Sequence, residues 1–374
     1  MFKKYIMTIN IFDPTRNYYR HREEFDSIIQ KIIESGYYIG GPEITQLENN
    51  LAEYTNSKYC LGVSSGTDAL LMALMALDIK RGDEVITTPF TWISTSEVLG
   101  LLEITPVFVD IDEDTFNIDP SKIEAAITDK TKAILPVSLF GQMCEIDQIM
   151  EIAKKHNIYV IEDGAQSLGA RIDDRPSCSM ADISCTSFYP TKSLGCWGDG
   201  GACFTNNKEL YEKLKAIRNH GGSVRDHHTC IGINGRLDTL QAGVLLVKLK
   251  YLNSDLEDRR KNALLYKYSI GDNPIIQLPK CESKFYHIYA QYTILIKNNR
   301  RDEFKQYLKN NDINVSVFYP TPLHLQPCFS YLNYNQGDFP ISERLGNQAV
   351  SLPVYPELKS EEIERVIDII RKWE

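Results

Sequence analysis

Short apolar runs rich in valine and isoleucine alternate with helical patterns along the first half of the chain. Five of these runs are separated by helical stretches, and they occupy residues 59–63, 84–88, 106–110, 132–137 and 158–162. Strands spaced by helices are typical of a mostly parallel sheet that is covered on both faces. Two further runs, 183–188 and 202–205, are joined by a glycine-rich loop, which extends the predicted sheet to about seven strands with some mixing of direction.

Residues 68–77 (DALLMALMAL) are apolar on nearly every face of a helix. A helix of this kind is fully buried, so we expect it at the centre of a large lobe. Lys80, Arg81 and Gly82 follow in the chain, and they predict a basic last turn and a stop for this helix.

The second half of the chain has a different pattern. Its predicted elements are, in order, a long helix at 237–252, a strand at 286–296, a helix around 302–310, a second strand at 314–319 and a terminal helix from Ser360. With 374 residues, 43% of them apolar, the chain can bury one large core and one smaller core. We therefore predict two domains. Residues 1–254 form a large α/β domain that includes an N-terminal arm, and residues 255–374 form a smaller α+β domain.

Charge and cysteine content narrow the class of protein. The net charge of −9 argues against non-specific nucleic-acid binding. The nine cysteines form no C-x-x-C pair, which argues against a zinc site and a disulfide framework, so we expect no bound metal. No apolar run reaches the roughly 18 residues of a membrane span, and the stretch before Asp13 lacks a small-residue cleavage site. We therefore expect a cytoplasmic protein with free thiols and no membrane partner.

The segment from Ser64 to Asp68 (SSGTD) lies between the first strand and the buried helix. Glycine lets the backbone approach a ligand closely, and the free amides and positive dipole at a helix start favour a phosphate group. Simple capping of the helix by serine or threonine explains the same pattern. Taken alone, the segment leaves both interpretations open.

Residues 158–163 (IYVIED) form a buried strand that ends in two acids. Ligands of open α/β sheets bind at the carboxyl ends of the strands, so an acid placed there faces the cleft. In that position Asp163 can hold the pyridine nitrogen of a cofactor protonated. The alternative is an acid that lies in a loop or caps a helix.

A third segment, 187–195 (SFYPTKSLG), is followed by the run GDGG. A lysine held in a rigid, glycine-rich turn at a sheet end can reach into a cleft, and partial desolvation lowers its pKa toward the amine that forms an imine. Most single lysines are solvated surface groups, which is the alternative for Lys192. The glycine run is not G-x-G-x-x-G and it follows the lysine instead of the first strand, which removes the main support for a nicotinamide dehydrogenase.

The order of the three segments distinguishes the chain: a phosphate loop, an acid at a strand end, then a lysine after the next strand. Their motifs, SSGTDAL, IEDGAQSLGA and SFYPTKSLGCWGDGG, together resemble those of the DegT/DnrJ/EryC1/StrS family of sugar aminotransferases. The resemblance runs from about residue 9 to the C-terminus. It implies the fold of aspartate aminotransferase, which is the type I fold of PLP-dependent transferases.

The resemblance implies pyridoxal 5'-phosphate (PLP) as the cofactor, with pyridoxamine phosphate (PMP) as its aminated form. Lys192 would be the catalytic residue, binding the cofactor covalently and later moving a proton between the cofactor and the sugar carbon. Asp163 would pair with the pyridine nitrogen. The other implied cofactor contacts are Gly66, Thr67 and Ser187 at the phosphate, Trp92 on the ring face and Gln166 on the hydroxyl side of the ring.

Two loops extend the implied site to a second subunit and to the sugar. Asn234 and Arg236, in NGRLD, match a loop that crosses into the neighbouring subunit, where Asn234 would reach the cofactor phosphate and Arg236 the substrate. The functional unit would then be a homodimer with shared sites, whereas ordinary helix entry with an exposed arginine is the alternative. Tyr319 and His324, in FYPTPLHL, resemble the sugar-side loop of a subgroup that includes enzymes acting on 3-keto nucleotide sugars. For His324, a structural histidine on a proline-rich loop is the alternative.

The implied reaction is a two-step transamination. An amino donor, glutamate in most of the family, aminates the cofactor, which then aminates the keto sugar. The favoured acceptor is a 3-keto UDP- or dTDP-hexose, of the UDP-3-keto-N-acetylglucosamine type or its uronate. Amination at C4 of a 4-keto-6-deoxy nucleotide sugar is the nearer alternative, and a catalytically silent regulatory or binding protein is the farther one.

Overall fold

The structure is a computed structural model that describes residues 8–222, 224 and 226–373. Residues 1–7, which are part of the N-terminal stretch that lacks a predicted cleavage site, lie outside the described part. The strands are β1 (Tyr59–Val63), β2 (Glu84–Thr87), β3 (Thr105–Phe108), β4 (Thr131–Ile134), β5 (Tyr159–Asp163), β6 (Arg171–Ile172), β7 (Arg175–Pro176), β8 (Ile183–Ser187), β9 (Gly201–Thr205), β10 (Ile276–Gln277), β11 (Phe285–Tyr286), β12 (Tyr292–Ile296) and β13 (Ala349–Leu352). The α-helices are α1 (Pro14–Arg20), α2 (Arg22–Ser35), α3 (Pro42–Tyr54), α4 (Gly66–Ala76), α5 (Ser94–Leu101), α6 (Pro120–Ile123), α7 (Ile146–His156), α8 (Lys208–Arg218), α9 (Thr239–Ile270), α10 (Arg301–Asn310), α11 (Pro340–Gln348) and α12 (Ser360–Arg371).

The large sheet contains seven strands in the order β1-β9-β8-β5-β4-β2-β3. The strands from β8 to β3 pair in parallel, and β9 is antiparallel to both β1 and β8. Alternate strand residues pack into two separate core clusters, with Ile134 and Val160 on one face and Ala133 and Ile161 on the other. Both faces are therefore covered, and the predicted seven-stranded, mostly parallel α/β sheet is confirmed.

Helix α4 is the buried helix that the sequence predicted. Its residues Leu70, Met72 and Leu74 have almost no exposed surface, because the helix packs against β8, β9, α5 and α8. The helix ends at Ala76, four residues before Lys80. The predicted basic last turn is therefore wrong, since Lys80 lies in the turn that leads to β2.

The small lobe has its own antiparallel sheet, β10-β12-β13, packed against α10 and α12. Its core contains Ile294, Phe304, Val350 and Val366. The helices predicted around 302–310 and from Ser360 are confirmed as α10 and α12.

Three parts of the small lobe differ from the prediction. The strand predicted at 286–296 is two strands, because β11 pairs with β6 of the β6-β7 hairpin while β12 pairs with β13. Residues 314–319 are not a strand and bridge β13 only between Ser316 and Ser351. Strand β13 itself was not predicted, and neither were the N-terminal helices α1, α2 and α3.

Helix α9 connects the two lobes. It is 32 residues long and continues without a break through the proposed domain boundary at residues 254 and 255. Its first half contributes Leu245 and Leu252 to the large core, and its second half contributes Ala263 and Tyr266 to the small core. The division of the chain at residue 254 remains our proposal, with α9 shared between the two cores.

A buried histidine near the junction makes stability depend on pH. His287 is 5% exposed, its Nδ1 accepts a hydrogen bond from Tyr289 N at 2.9 Å, and the Arg260 guanidinium donates to its carbonyl at 2.6 Å. Burial, together with the Arg260 charge, lowers the pKa of His287 to about 3. The folded protein thus binds fewer protons here than the unfolded chain, so stability falls as pH drops below the unfolded pKa of about 6.5.

We expect the unfolding free energy to lose ~2 kcal/mol from His287 between pH 7 and pH 5. The His287→Asn variant keeps a hydrogen-bond acceptor for Tyr289 N and removes the titrating ring. Urea unfolding at pH 5, 6 and 7 measures the slope for both proteins. Equal slopes for the variant and the wild type would show that His287 is not the group responsible.

Candidate active site

One cavity of about 400 Å³ opens at the carboxyl ends of β5 and β8, beside the start of α4. It brings together most of the residues that the sequence singled out. Those that line it are Gly66, Thr67, Trp92, Asp163, Gln166, Ser187, Lys192 and Tyr319. This end of the sheet is where ligands of open α/β sheets bind.

The start of α4 forms one end of the cavity. Ser65 caps the helix, since its hydroxyl accepts a hydrogen bond from Asp68 N at 3.0 Å. A Cβ atom on Gly66 would lie 2.7 Å from the Cβ of Ser187, so only glycine fits this close approach to β8. The capping interpretation is therefore confirmed, and the phosphate site stays a prediction that is compatible with it, because the first amides of a helix have no partner within the helix.

Asp163 is the last residue of β5 and is 5% exposed. Its Oδ2 accepts a hydrogen bond from the Thr95 hydroxyl at 2.8 Å, and its Oδ1 accepts one from Ala165 N at 3.1 Å. Burial raises the pKa of Asp163, although both hydrogen bonds and the charge of Lys192 act in the opposite direction. Thr95 was not predicted from the sequence. It is the second residue of α5 and lies eight residues after the end of β2, so the rule that ligands bind at strand ends does not single it out.

The neighbouring acid, Glu162, points to the other face of the sheet, as alternation along a strand requires. It is fully buried and accepts hydrogen bonds from three hydroxyls, those of Ser138, Ser177 and Ser184, at 2.9 to 3.0 Å. Burial raises the pKa of Glu162 despite these bonds. Of the two acids at this strand end, Asp163 is the one that lines the cavity.

Lys192 lies in the turn between β8 and β9. The turn is held by backbone hydrogen bonds from Phe188 N to Gly200 O at 2.7 Å and from Lys192 N to Tyr189 O at 2.9 Å. Burial lowers the pKa of Lys192, while the charge of Asp163 acts to raise it. A lowered pKa increases the fraction of neutral amine, which is the form that attacks a carbonyl carbon.

The small lobe closes the cavity through Phe318 and Tyr319. The Gln166 amide donates to Tyr319 Oη at 3.0 Å, and its oxygen accepts from Phe140 N at 2.9 Å. Trp92 lines the cavity and is 59% exposed, so much of its side chain is accessible to a ligand. Gln291, which was not predicted from the sequence, also lines the cavity, and its buried Oε1 lacks a partner among the described residues.

Three predicted site residues lie outside the cavity. Asn234 is exposed and Arg236 is half-buried, on a segment whose backbone bridges Asn219 and Val63. His324 has no exposed side-chain surface, and its Nε2 lies 3.1 Å from Glu343 Oε1. The ring of His324 is enclosed by protein in this structure, so the hexose contact of His324 stays a prediction beside the alternative of a structural histidine.

A model of the DegT/DnrJ/EryC1/StrS aminotransferase family matches residues 20–371. The chain belongs to this family. It is similar to the UDP-2-acetamido-2-deoxy-3-oxo-D-glucuronate aminotransferase of Pseudomonas aeruginosa, with 43% identity over 356 residues, which are 95% of this chain and 98% of that protein. It is also 41% identical over 371 residues to a protein of Geobacillus stearothermophilus named pleiotropic regulatory protein, covering 98% of this chain and 99% of that one. The crystal structure of NtdA from Bacillus subtilis with bound PMP has a TM-score of 0.92 and 30% identity, over 99% of this chain and 86% of that chain.

This chain is therefore a PLP-dependent aminotransferase of the type I fold. The cavity fits this cofactor: amides and a hydroxyl around Gly66 suit the phosphate, the buried Asp163 carboxyl suits a ring nitrogen, and the Lys192 amine suits an aldehyde. When bound, PLP supplies an electron sink for charge that develops on the reacting carbon. Within the described residues, no cluster of histidine, cysteine and acidic side chains is placed to hold a metal ion.

Proposed function

We propose that this aminotransferase moves an amino group from glutamate to the C3 keto carbon of a nucleotide-linked hexose, with a UDP-linked 3-keto-N-acetylglucosamine or its uronate favoured. One observation carries the proposal: an amine of lowered pKa and a buried carboxyl face one cavity, in a chain 43% identical to an aminotransferase named for a 3-oxo UDP sugar. The sugar-side segment FYPTPLHL supports the C3 position.

We assign roles to the lining residues on the same grounds. Lys192 Nζ binds the cofactor and moves a proton to and from the reacting carbon, since its pKa is lowered by burial. Asp163 holds the ring nitrogen protonated, with Thr95 fixing the carboxyl. The phosphate is held by Gly66, Thr67 and Ser187, the ring face is covered by Trp92, and the hydroxyl side is contacted by Gln166.

The functional unit in this proposal is a homodimer in which Asn234 and Arg236 complete the site of the second copy. Among the described residues that line the cavity, Lys192 is the one cationic side chain. Glutamate and the nucleoside diphosphate group of a nucleotide sugar are both anionic, so a site that binds them needs additional cationic side chains. Arg236 is outside its own cavity and half-buried, which suits a residue that reaches across an interface.

The proposal includes a cytoplasmic location. The nine cysteines are all free thiols, which fits a reducing compartment. In the part of the chain that the structure describes, none of the helices is both long and apolar enough to cross a membrane.

The test is incubation of the PLP-loaded enzyme with glutamate and a panel of 3-keto and 4-keto sugars linked to UDP or dTDP. We expect kcat/KM to favour a 3-keto UDP sugar by about tenfold or more, with NMR placing the new amino group at C3. A preference for 4-keto sugars would reassign the acceptor. The name of the Geobacillus relative favours a regulatory role as the second candidate, and a purified protein that lacks visible cofactor absorption and converts no sugar would support it.

A further inference from the structure

The segment of residues 318–325 forms the small-lobe wall of the cavity. Phe318 and Tyr319 line the cavity, and Leu323 N donates to Pro89 O at 2.7 Å. Pro89 follows β2 and precedes Trp92, so the segment crosses the carboxyl end of the large sheet beside the site. The position of this wall therefore determines the shape of the cavity.

His324 ties this segment to helix α11. Its Nε2 pairs with Glu343 Oε1 at 3.1 Å, and the same oxygen accepts a hydrogen bond from Gly337 N at 2.7 Å. Burial lowers the pKa of His324, although Glu343 acts in the opposite direction, and Nε2 is the nitrogen that donates to the Glu343 carboxylate. Nδ1 is buried without a hydrogen-bond partner in the described part of the chain, a cost that a residue present only for packing would avoid.

Helix α11 is in turn fixed to the large lobe by Asp110, which follows β3. The carboxylate accepts hydrogen bonds from Ile341 N and Ser342 N, both at 3.0 Å, and is 7% exposed. A buried carboxylate at a helix start satisfies the unpaired amides and complements the helix dipole. Asp110, α11, Glu343 and His324 thus connect the end of β3 to the wall of the cavity.

We propose that His324 is a positioning residue for the acceptor half of the reaction: through Glu343 it fixes the wall formed by Phe318 and Tyr319, and with it the bound position of the keto sugar. This inference rests on the proposed function. Glutamate is much smaller than a nucleotide sugar and depends less on this wall. His324 therefore acts on one half-reaction more than on the other.

The experiment compares His324→Leu with His324→Gln in PLP-loaded enzyme. We expect His324→Leu to raise the KM for the keto sugar by about 10- to 100-fold, because a small displacement of the wall misplaces the acceptor. His324→Gln retains an N–H that can reach Glu343, so it should recover most of the affinity. The rate of cofactor amination by glutamate, followed by absorbance, should stay within about twofold of wild type in both variants.

His156→Leu is the matched control, since His156 also pairs with a glutamate, Glu124, at 2.8 Å, but far from the cavity lining. Thermal melting monitors folding, and if His324→Leu does not fold, Glu343→Gln carries the same expectation for KM. Equal losses in both half-reactions, or a KM that stays at the wild-type value, would overturn the inference. Failure of wild-type enzyme to aminate any keto sugar would instead refute the proposed function.

Discussion

Replacing Lys192 with alanine is expected to lower kcat by about 10²- to 10⁴-fold, the usual contribution of a positioned proton-transfer group. The variant loses the one lysine or arginine among the described residues that line the cavity. Burial lowers the pKa of this lysine and so favours its neutral amine. It keeps the start of α4 and Asp163, so the protein should still retain cofactor. Product formation from glutamate and keto sugar measures turnover, and absorbance after gel filtration measures the retained cofactor.

Lys248 provides a control within the wild-type protein. Burial also lowers the pKa of Lys248, but this residue lies on α9 and does not line the cavity. Borohydride reduction followed by peptide mapping should find the cofactor attached at Lys192 and not at Lys248. Wild-type turnover in Lys192→Ala, or attachment elsewhere, would contradict the assignment of the lysine.

The large sheet could be predicted because most of its strands are buried on both faces. Val160 and Ile161 pack into different core clusters, so the strand reads as a continuous apolar run that a single sequence reveals. The small lobe offered weaker signals. Its sheet is antiparallel and pairs β12 with β13 across about 50 residues of intervening chain, so no local pattern indicated the partner.

The residues of the candidate site also differ in how well the sequence predicted their positions. Asp163 is the last residue of β5 and Lys192 lies in the turn after β8, so chain position alone predicted that both lie at the sheet end. His324 could not be placed from its motif, because its burial depends on Glu343 and on the anchoring of α11 by Asp110. Contacts between distant segments of the chain decide whether a polar side chain faces a cavity or is enclosed by protein.

Asp163→Asn should lower kcat by about 10²- to 10³-fold, comparable to the loss of one preorganised electrostatic group. The amide keeps the size of the side chain. Its oxygen can accept from Ala165 N and its NH2 group can donate to the Thr95 hydroxyl oxygen, so the cavity should keep its shape. It carries no negative charge, however, and cannot hold a ring nitrogen protonated. Steady-state kinetics measures the loss, and the pH dependence of the cofactor absorption should change with it.

Asp182→Asn is the matched control for this charge. Burial raises the pKa of Asp182 as it does that of Asp163, and Asp182 accepts a hydrogen bond from Val160 N at 2.8 Å, at the opposite end of the same pair of strands. An asparagine there can make the same bond, so kcat and the cofactor spectrum should match wild type. Each of the two substitutions removes one carboxylate. If only Asp163→Asn lowers kcat, the effect depends on the position of the carboxylate beside the cavity and not on the loss of a charge as such. An unaltered rate in Asp163→Asn would mean that this carboxyl does not act on the cofactor.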